Sequence, residues 1–458
     1  MNETVAKRPD SEFSDDYLRM YPEAIARVND YRARHPERRA MAVKSITIVV
    51  TEDCTLRCSY CYQHNKNCDH RMSEETARRI VDLLFEEDAK DNMYLNPDIA
   101  QALILDFIGG EPLLEIGIIG YFMRYFLWKA IYLDHRWATH YMISISSNGT
   151  LCDDPDVKKF LTTYKGRVSL GITIDGNQTL HDACRRYPNG DPSYDIVASA
   201  VHMCQKKYGV SNVTKLTLAP ENVAYLYDAI MNLYNEFDFS GVYANCVYED
   251  GWTNAHALTL YEQMKKLSDW MIDNGTYKTF YCTLYSDNIG QPMDENNDEN
   301  WCGGTGAMLC FTTDGNITPC LRYTQFNLND KQPEIRIGNL DTGIANEKCD
   351  RATMDGLDKI TRRSQSTDEC FSCPIASGCA WCSAFCYEET GTPNKRVTYI
   401  CPMHKARVMS NVYFWNKLYR KLGMDDRFEC HIPKEWALEI IPEDEYKMLL
   451  ELASDDKL

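Results

Sequence analysis

The sequence predicts an α/β fold, a partial TIM-like barrel of six strand–helix repeats followed by a cysteine-rich C-terminal domain. Three observations carry this prediction. From Val43 onward, β-rich runs alternate with helical runs, most of the strands end in glycine or polar turns, and the second half of the chain concentrates cysteine. Strands that alternate with helices form βαβ units with a parallel sheet. Functional residues in such folds lie at the carboxyl ends of the strands.

The apolar pattern defines each element in turn. The run "SITIVV" is β-branched and apolar, and it predicts the first strand; "SEETARRIVDLLFEEDA" predicts an amphipathic helix with Ser73 as its N-cap. Five more strands are predicted at "ALILDFIGGEP", "YMISISSNGT", "RVSLGITIDG", "VTKLTLAPEN" and "GVYANCVYE". The helices among them are predicted at "IGIIGYFMRYFLWKAIYLD", "DPDVKKFLTTY", "YDIVASAVHMCQKKYG" and "VAYLYDAIMNLYNEF".

Changes in composition divide the chain into four segments. The polar, acidic stretch "PMDENNDENW" predicts a boundary near residue 290, and cysteines cluster after it. We expect a helical N-terminal extension at 1–42, the barrel at 43–290, the cysteine-rich domain at 291–405 and a helical tail at 406–458.

Composition excludes several classes of partner. The net charge of −18 argues against nucleic acid and anionic membranes, because both require basic surfaces. No apolar run reaches the roughly 20 residues of a membrane helix, and the start of the chain lacks a secretory signal, so we expect a cytoplasmic protein. Twenty cysteines in a reducing compartment favour metal ligation over disulfides.

The stretch "CTLRCSYC" carries the sharpest signal. Cys54, Cys58 and Cys61 follow the first predicted strand with C-x₃-C-x₂-C spacing. A structural zinc site usually has four ligands, whereas three thiolates can ligate three irons of a 4Fe–4S cluster and leave one iron open for a small molecule. The spacing favours the cluster, and a zinc knuckle is the alternative.

This loop resembles the signature of the radical SAM superfamily, and the aromatic Tyr60 before the third cysteine fits that signature. The resemblance implies that the open iron binds the amino and carboxylate groups of S-adenosylmethionine, whose reductive cleavage releases a 5′-deoxyadenosyl radical. The later motifs "GGEP", "SSNGT", "TIDG" and "HDACR" also resemble that family. They imply cofactor contacts, beside Tyr60, from Gly109, Gly110, Glu111, Ser146, Asn148, Asp175 and Arg185.

The cysteine-rich region resembles the SPASM domain of peptide-modifying radical SAM enzymes, which holds two auxiliary 4Fe–4S clusters. Three clusters are therefore expected in all. The family pattern requires a cysteine at Ser383, and we favour the adjacent Cys382 over Cys386 as the ligand. The resemblance implies Cys302, Cys320 and Cys382 for auxiliary cluster I, with Cys310 as a candidate fourth ligand, and Cys370, Cys373, Cys379 and Cys401 for auxiliary cluster II. A zinc ribbon is the alternative, although its two C-x₂-C pairs stand farther apart.

The run "CAWCSAFCYEETGTPNKRVTYICPMHKARV" most resembles peptide maturases of the CXXX-repeat-target type. That resemblance implies hydrogen-atom abstraction from a ribosomally made precursor peptide and formation of a cysteine thioether crosslink. The alternatives are oxidation of Cys or Ser to formylglycine, as in anaerobic sulfatase maturases, and carbon–carbon crosslinking. Formylglycine-forming relatives carry an Asp directly after the cysteine equivalent to Cys320, where this chain has Leu321 and Arg322. The sequence assigns no catalytic acid or base.

The resemblance also implies partners. An electron donor such as flavodoxin or ferredoxin must reduce the cluster. The residues before the first strand are too few for a complete fused leader-binding domain, so the candidate leader-binding sites are a separate protein, the N-terminal helix and the tail "PKEWALEIIPEDEYKMLLEL".

Overall fold

The computed structural model describes residues 42–67, 69–90, 94–209, 213–300, 302–305, 308–344 and 351–454. Nearly all of the helical extension expected at 1–42 therefore lies outside the described residues. Within the described ranges, no helix combines the length and the apolar character that crossing a membrane requires.

All six barrel strands predicted from the sequence are present. They are β1 (Val43–Thr51), β2 (Ala102–Gly109), β3 (Tyr141–Ser147), β4 (Val168–Ile172), β5 (Val213–Leu218) and β6 (Gly241–Cys246). Strands β1 to β4 pair in parallel in chain order, and β5 pairs in parallel with β6, which pairs with β7 (Tyr281–Cys282). The Thr214 hydroxyl donates to the Ile172 carbonyl at 3.1 Å and links β5 to β4. The α/β fold class is thus confirmed.

The sheet continues beyond β1 into the cysteine-rich region. Its further strands are β8 (Cys310–Phe311), β9 (Asn316–Thr318), β10 (Gly338–Asn339) and β11 (Gly343–Ile344). Strand β8 pairs in parallel with β1, with Cys310 opposite Thr47, and β9 to β11 follow as antiparallel neighbours. One sheet therefore runs across the boundary expected near residue 290, and the domain limits stay a prediction.

Five helices cover the sheet where the sequence predicts them, and the barrel contains two further helices that were not predicted. They are α1 (Glu74–Asp88), α2 (Ile116–Tyr132), α3 (Pro155–Thr163), α4 (Gln178–Cys184), α5 (Tyr194–Tyr208), α6 (Leu226–Phe237) and α7 (Asn254–Asp273). Helix α1 begins where the Ser73 hydroxyl accepts the N–H of Thr76 at 3.0 Å, as expected for an N-cap. Its apolar stripe, including Ile80 and Leu84, is completely buried against the sheet.

The C-terminal region adds seven helices among the described residues. They are α8 (Arg351–Asp358), α9 (Arg362–Gln365), α10 (Asp368–Phe371), α11 (Ser383–Thr390), α12 (Cys401–Leu422), α13 (Lys434–Leu438) and α14 (Glu443–Ala453). Helix α12 packs along α7. Arg407 and Asn411 of α12 both donate to the Leu284 carbonyl, at 2.9 and 3.0 Å, and so fix the cysteine-rich region to the barrel.

Candidate active site

The cysteine triplet lies on the loop that leaves the carboxyl end of β1, and each sulfur receives one N–H donor. Asn148 Nδ2 lies 3.6 Å from Cys54 Sγ, Arg185 Nη1 lies 3.4 Å from Cys58 Sγ, and Lys66 Nζ lies 3.2 Å from Cys61 Sγ. Burial raises the pKa of the Cys54 thiol to about 12. Iron binding replaces such protons, and N–H donors stabilise the thiolate that remains. This donor set fits an iron–sulfur cluster.

The "GGEP" turn packs directly against the cysteine loop. The N–H of Glu111 donates to the Asp53 carbonyl at 2.8 Å. A Cβ atom at Gly110 would lie 2.1 Å from that carbonyl oxygen and 2.8 Å from Cβ of Cys54, so only glycine permits this approach. The carbonyl of Gly109 accepts the amide of Gln63 at 2.8 Å, which ties the loop to the end of β2.

Glu111 joins the ends of β2 and β3. Its carboxylate is completely buried and accepts the hydroxyl of Ser147 at 2.8 Å and the N–H groups of Asn148 and Leu113 at 2.7 and 3.1 Å. Burial raises the pKa of Glu111, and these three donors oppose the rise. The contacts give Glu111 a positioning role behind the cavity, and its direct contact with a cofactor stays a prediction.

Asp175 forms hydrogen bonds with two other predicted site residues, Tyr60 and Arg185. It accepts the Tyr60 hydroxyl and, at 3.1 Å, Nε of Arg185, whose guanidinium lies 5.8 Å from the centre of the Tyr60 ring. Arg185 therefore bridges a buried carboxylate and the sulfur of Cys58. The other oxygen of Asp175, Oδ1, is buried without a hydrogen-bond partner among the described residues.

These groups surround one cavity of about 330 Å³ at the carboxyl ends of the strands. The cavity brings together nine of the predicted residues: Cys54, Cys58, Cys61, Tyr60, Gly109, Gly110, Ser146, Asn148 and Arg185. Glu111 and Asp175 lie behind it. The three thiols and the open space beside them fit a cluster with a bound S-adenosylmethionine, and the role of each residue stays a prediction.

A second group of thiols lies beside the barrel. A Cβ atom at Gly304 would lie 3.3 Å from Sγ of Cys320 and 3.6 Å from Sγ of Cys302, so the glycine leaves room between two close sulfurs. Burial raises the pKa of the Cys320 thiol, and the charges of Cys382 and Cys302 add to the rise. The three cysteines expected for auxiliary cluster I are therefore neighbours.

Cys310 and Cys386 lie near this group but also have contacts of their own. The Cys310 side chain is completely buried and packs with Val49 and Leu321. The sulfur of Cys386 accepts the N–H of Val397 at 3.3 Å. Both thiols have local contacts within the protein, and their candidate roles as ligands stay predictions.

A third group lines its own cavity of about 280 Å³. The cavity wall includes all four cysteines expected for auxiliary cluster II: Cys370, Cys373, Cys379 and Cys401. Arg396 Nη2 donates to Sγ of Cys379 at 3.2 Å. Burial raises the pKa of Cys401 to about 12, and the other three thiols add to the rise. Among the residues that the structure describes, no three His, Cys, Asp or Glu side chains are arranged to hold a single metal ion.

Comparison with known proteins identifies the barrel. Residues 48–231 match the model of the Radical SAM superfamily. The match includes the cysteine triplet and strands β2 to β5. Among curated proteins, the chain is similar to the serine-type anaerobic sulfatase-maturating enzyme of Bacteroides thetaiotaomicron, with 23% identity over a 384-residue alignment that covers 76% of this chain and 84% of the relative.

Solved structures share the fold of this chain. The structure of anSMEcpe with bound AdoMet matches with a TM-score of 0.59 and 18% identity, over 88% of this chain and 98% of that one. Streptococcus suis SuiB, bound to precursor peptide SuiA, matches with a TM-score of 0.51 and 13% identity, over 81% and 79% of the two chains. A 4Fe–4S cluster and S-adenosylmethionine are the cofactors of the superfamily, and the thiol triplet lies where they are expected.

Sequence reasoning missed several charged and polar residues of the cavity wall. Gln63 and Lys66 closely follow the triplet, and their position on a loop at the carboxyl end of β1 was the available signal. Lys215 interrupts an otherwise uncharged strand, and its Nζ lies 3.2 Å from the Ser146 hydroxyl inside the barrel. No local pattern marks Glu249, since only the fold brings it to Arg322, at 3.0 Å.

Proposed function

We propose that this enzyme reductively cleaves S-adenosylmethionine and abstracts a hydrogen atom from a ribosomally made precursor peptide, forming a cysteine thioether crosslink. The observation that carries the proposal is the set of three thiol groups: one opens into the barrel cavity, and two lie in the C-terminal region. Relatives of the same fold have peptide complexes, with Cp18Cys peptide on anSMEcpe and SuiA on SuiB.

The proposed cofactors are three 4Fe–4S clusters. Joining a cysteine sulfur to carbon removes two hydrogen atoms from the peptide. One leaves as a hydrogen atom to the 5′-deoxyadenosyl group, and the other leaves as the thiol proton and one electron, which needs an acceptor. The second and third thiol groups offer sites for one. If Cys310 keeps its apolar contacts, three ligands remain at the second group, and an iron there is free for a substrate thiolate.

Iron and sulfide analysis of the anaerobically reconstituted protein tests the cofactor set. We expect about twelve iron atoms per chain, falling by about four in the Cys54/Cys58/Cys61→Ala variant and by about four in a Cys370/Cys373/Cys379→Ala variant. If only the cluster on the Cys54/Cys58/Cys61 triplet cleaves S-adenosylmethionine, the formation of 5′-deoxyadenosine with dithionite should be lost in the variant of that triplet and kept in the other variant. About four iron atoms, with zinc in the C-terminal region, would refute the two auxiliary clusters.

The formylglycine alternative is favoured by the sulfatase-maturating relative. The chain itself argues against it, because Leu321, and not Asp, follows Cys320, and Leu321 packs against Val49 and Cys310.

Mass spectrometry of cysteine-containing peptides after reaction separates the products. A thioether removes two hydrogen atoms and protects the cysteine from iodoacetamide. A carbon–carbon crosslink also removes two hydrogen atoms but leaves the thiol reactive. Formylglycine formation from cysteine removes the sulfur. The proposed partners are reduced flavodoxin or ferredoxin and a separate leader-binding protein, all in the reducing cytoplasm. The yield of modified peptide is therefore compared with and without each partner.

A further inference from the structure

Arg322 lies in the wall between the barrel cavity and the second thiol group. It follows Cys320 by two residues and lines the cavity together with Tyr62. Its guanidinium lies 4.4 Å from the centre of the Tyr62 ring and 5.5 Å from that of Phe385. Stacking between these rings fixes the position of a full positive charge that is only 14% exposed.

Two carboxylates hold this charge at the same terminal nitrogen. Nη2 of Arg322 lies 3.0 Å from Oε1 of Glu249, which lines the cavity, and 3.7 Å from Oε2 of the buried Glu388. The Nε atom of Arg322 is buried and has no hydrogen-bond partner among the described residues. The two carboxylates therefore contact only one edge of the guanidinium. The unpaired Nε–H group leaves a partial positive charge in the buried surroundings of Arg322.

Two relations place Arg322 beside the second thiol group: it follows Cys320 by two residues, and its guanidinium lies 5.5 Å from the ring centre of Phe385, which follows Cys382 by three residues. Burial raises the pKa of Cys382, and the charge of Arg322 is the main influence that opposes the rise. Burial also raises the pKa of Tyr62; the positive charge of Arg322 opposes that rise, and the thiols of Cys61, Cys320 and Cys382 add to it. The stacked pair of Arg322 and Tyr62 thus contacts the surroundings of both thiol groups.

We propose that the Arg322–Glu249 pair sets the reduction potential of the cluster held by Cys302, Cys320 and Cys382. One-electron reduction adds one negative charge to the cluster. A neighbouring guanidinium stabilises that charge and raises the potential, whereas a neighbouring carboxylate lowers it, and both effects are strong where water is excluded. Arg322 acts through the cluster and is a positioning residue. The inference rests on the proposed function, because it requires the auxiliary cluster.

Redox titration followed by EPR spectroscopy tests the inference. The full chain carries Cys54/Cys58/Cys61→Ala, so that only auxiliary signals remain, and the cluster I signal is the one that Cys382→Ala removes. For Arg322→Met we expect at least a tenfold lower ratio of reduced to oxidised cluster at fixed potential, which corresponds to 59 mV for one electron. Arg322→Lys should restore most of the shift, and Glu249→Gln should shift the potential upward.

Arg336→Met is the matched control. Arg336 lies in the same region and pairs with Glu334 at 2.9 Å, but its side chain is 53% exposed, so we expect no shift. Shifts of the same sign in Arg322→Met and Glu249→Gln, or no shift in either, would overturn the inference. If Arg322→Met loses iron, Glu249→Gln and Arg322→Lys decide the result. A parent protein without about four iron atoms at this group would refute the proposed cluster itself, which is a separate failure.

Discussion

At the scale of single residues, the surroundings of each thiol distinguish two candidate ligands, Cys382 and Cys386. Cys382 is the last residue before α11, and its charge interacts with those of Cys302 and Cys320. Cys386 lies one turn later, is 1% exposed and has its sulfur bonded to the Val397 N–H. Cys386 is therefore packed within its helix, whereas the thiols of Cys382, Cys302 and Cys320 are neighbours.

We therefore expect Cys382→Ala and Cys386→Ala to differ in iron content. Cys382→Ala should lose about four iron atoms, because the second group would keep too few ligands. Cys386→Ala should keep its iron and lose only packing. Iron analysis and EPR spectroscopy of the two variants, reconstituted in parallel, measure this difference. Equal iron loss in both variants, or loss only in Cys386→Ala, would reverse the assignment.

His181 predicts a dependence of stability on pH. Its Nδ1 accepts the N–H of Asp175 at 3.3 Å, while Nε2 contacts the Ser193 hydroxyl at 3.0 Å, so the ring is neutral. Burial, helped by the charge of Arg185, lowers the pKa of His181 from 6.5 to about 3. Because the unfolded chain binds the proton more readily, stability falls as pH drops from about 6.5 towards 3.

Through this residue, the free energy of unfolding should fall by about 1.4 kcal/mol between pH 7.5 and 5.5. His181→Gln should be less stable at pH 7.5 but should lose less stability on acidification. Thermal unfolding of the wild type and the variant at both pH values provides the comparison. An equal acid shift in both proteins would exclude His181 as the source.

At the scale of elements, the ends of β2 and β3 are held together by one carboxylate. Glu111 follows β2, and its donors Ser147 and Asn148 lie at the end of β3. Asn148 in turn donates to the sulfur of Cys54. A change at Glu111 therefore reaches the thiol triplet through the strand ends.

Glu111→Gln should weaken S-adenosylmethionine binding and reduce stability by about 1–3 kcal/mol, because an amide N–H₂ would face a buried N–H donor. Glu115→Gln is the matched control: it removes a carboxylate four residues later that pairs with Arg71 at 2.9 Å and makes no hydrogen bond to the described residues of β3. Calorimetric titration with the cofactor and thermal unfolding measure both effects. Equal losses in the two variants would show that charge, and not the bridge between strands, is responsible.

At the scale of the whole molecule, the barrel and the cysteine-rich region share one sheet. Strand β8 completes the free side of β1, and α12 covers α7. Without these elements the edge of β1 and the apolar surface of α7 would be exposed, which favours aggregation.

We therefore expect a fragment that ends at residue 290 to be insoluble or rapidly cleaved by protease, although it contains the whole cysteine triplet. Size-exclusion chromatography and limited proteolysis of the fragment and the full chain measure this. A monomeric, protease-resistant fragment would show that the barrel folds independently.

The sequence predicted the six barrel strands, five of the seven barrel helices and the three groups of cysteines, but not α4 or α7. It could do so because strand and helix periodicity and the spacing of cysteines are local properties. The fold class was confirmed for the same reason, since βαβ units admit essentially one handed arrangement. Contacts between distant residues were not predicted. Glu111, for example, is predicted as a cofactor contact, and the structure adds that it lies behind the cavity and bridges two strands.

The charges that face the cavity, and the way in which the barrel joins the cysteine-rich region, could be identified only from the tertiary structure. Lys66, Lys215 and Glu249 reach the cavity from different elements. Likewise, β8 lies beside β1 although more than two hundred residues separate them along the chain. The physical reason is that the chain topology, which depends on burial of the whole core, brings distant side chains into contact. Such contacts cannot be inferred from the residues next to each side chain in the sequence.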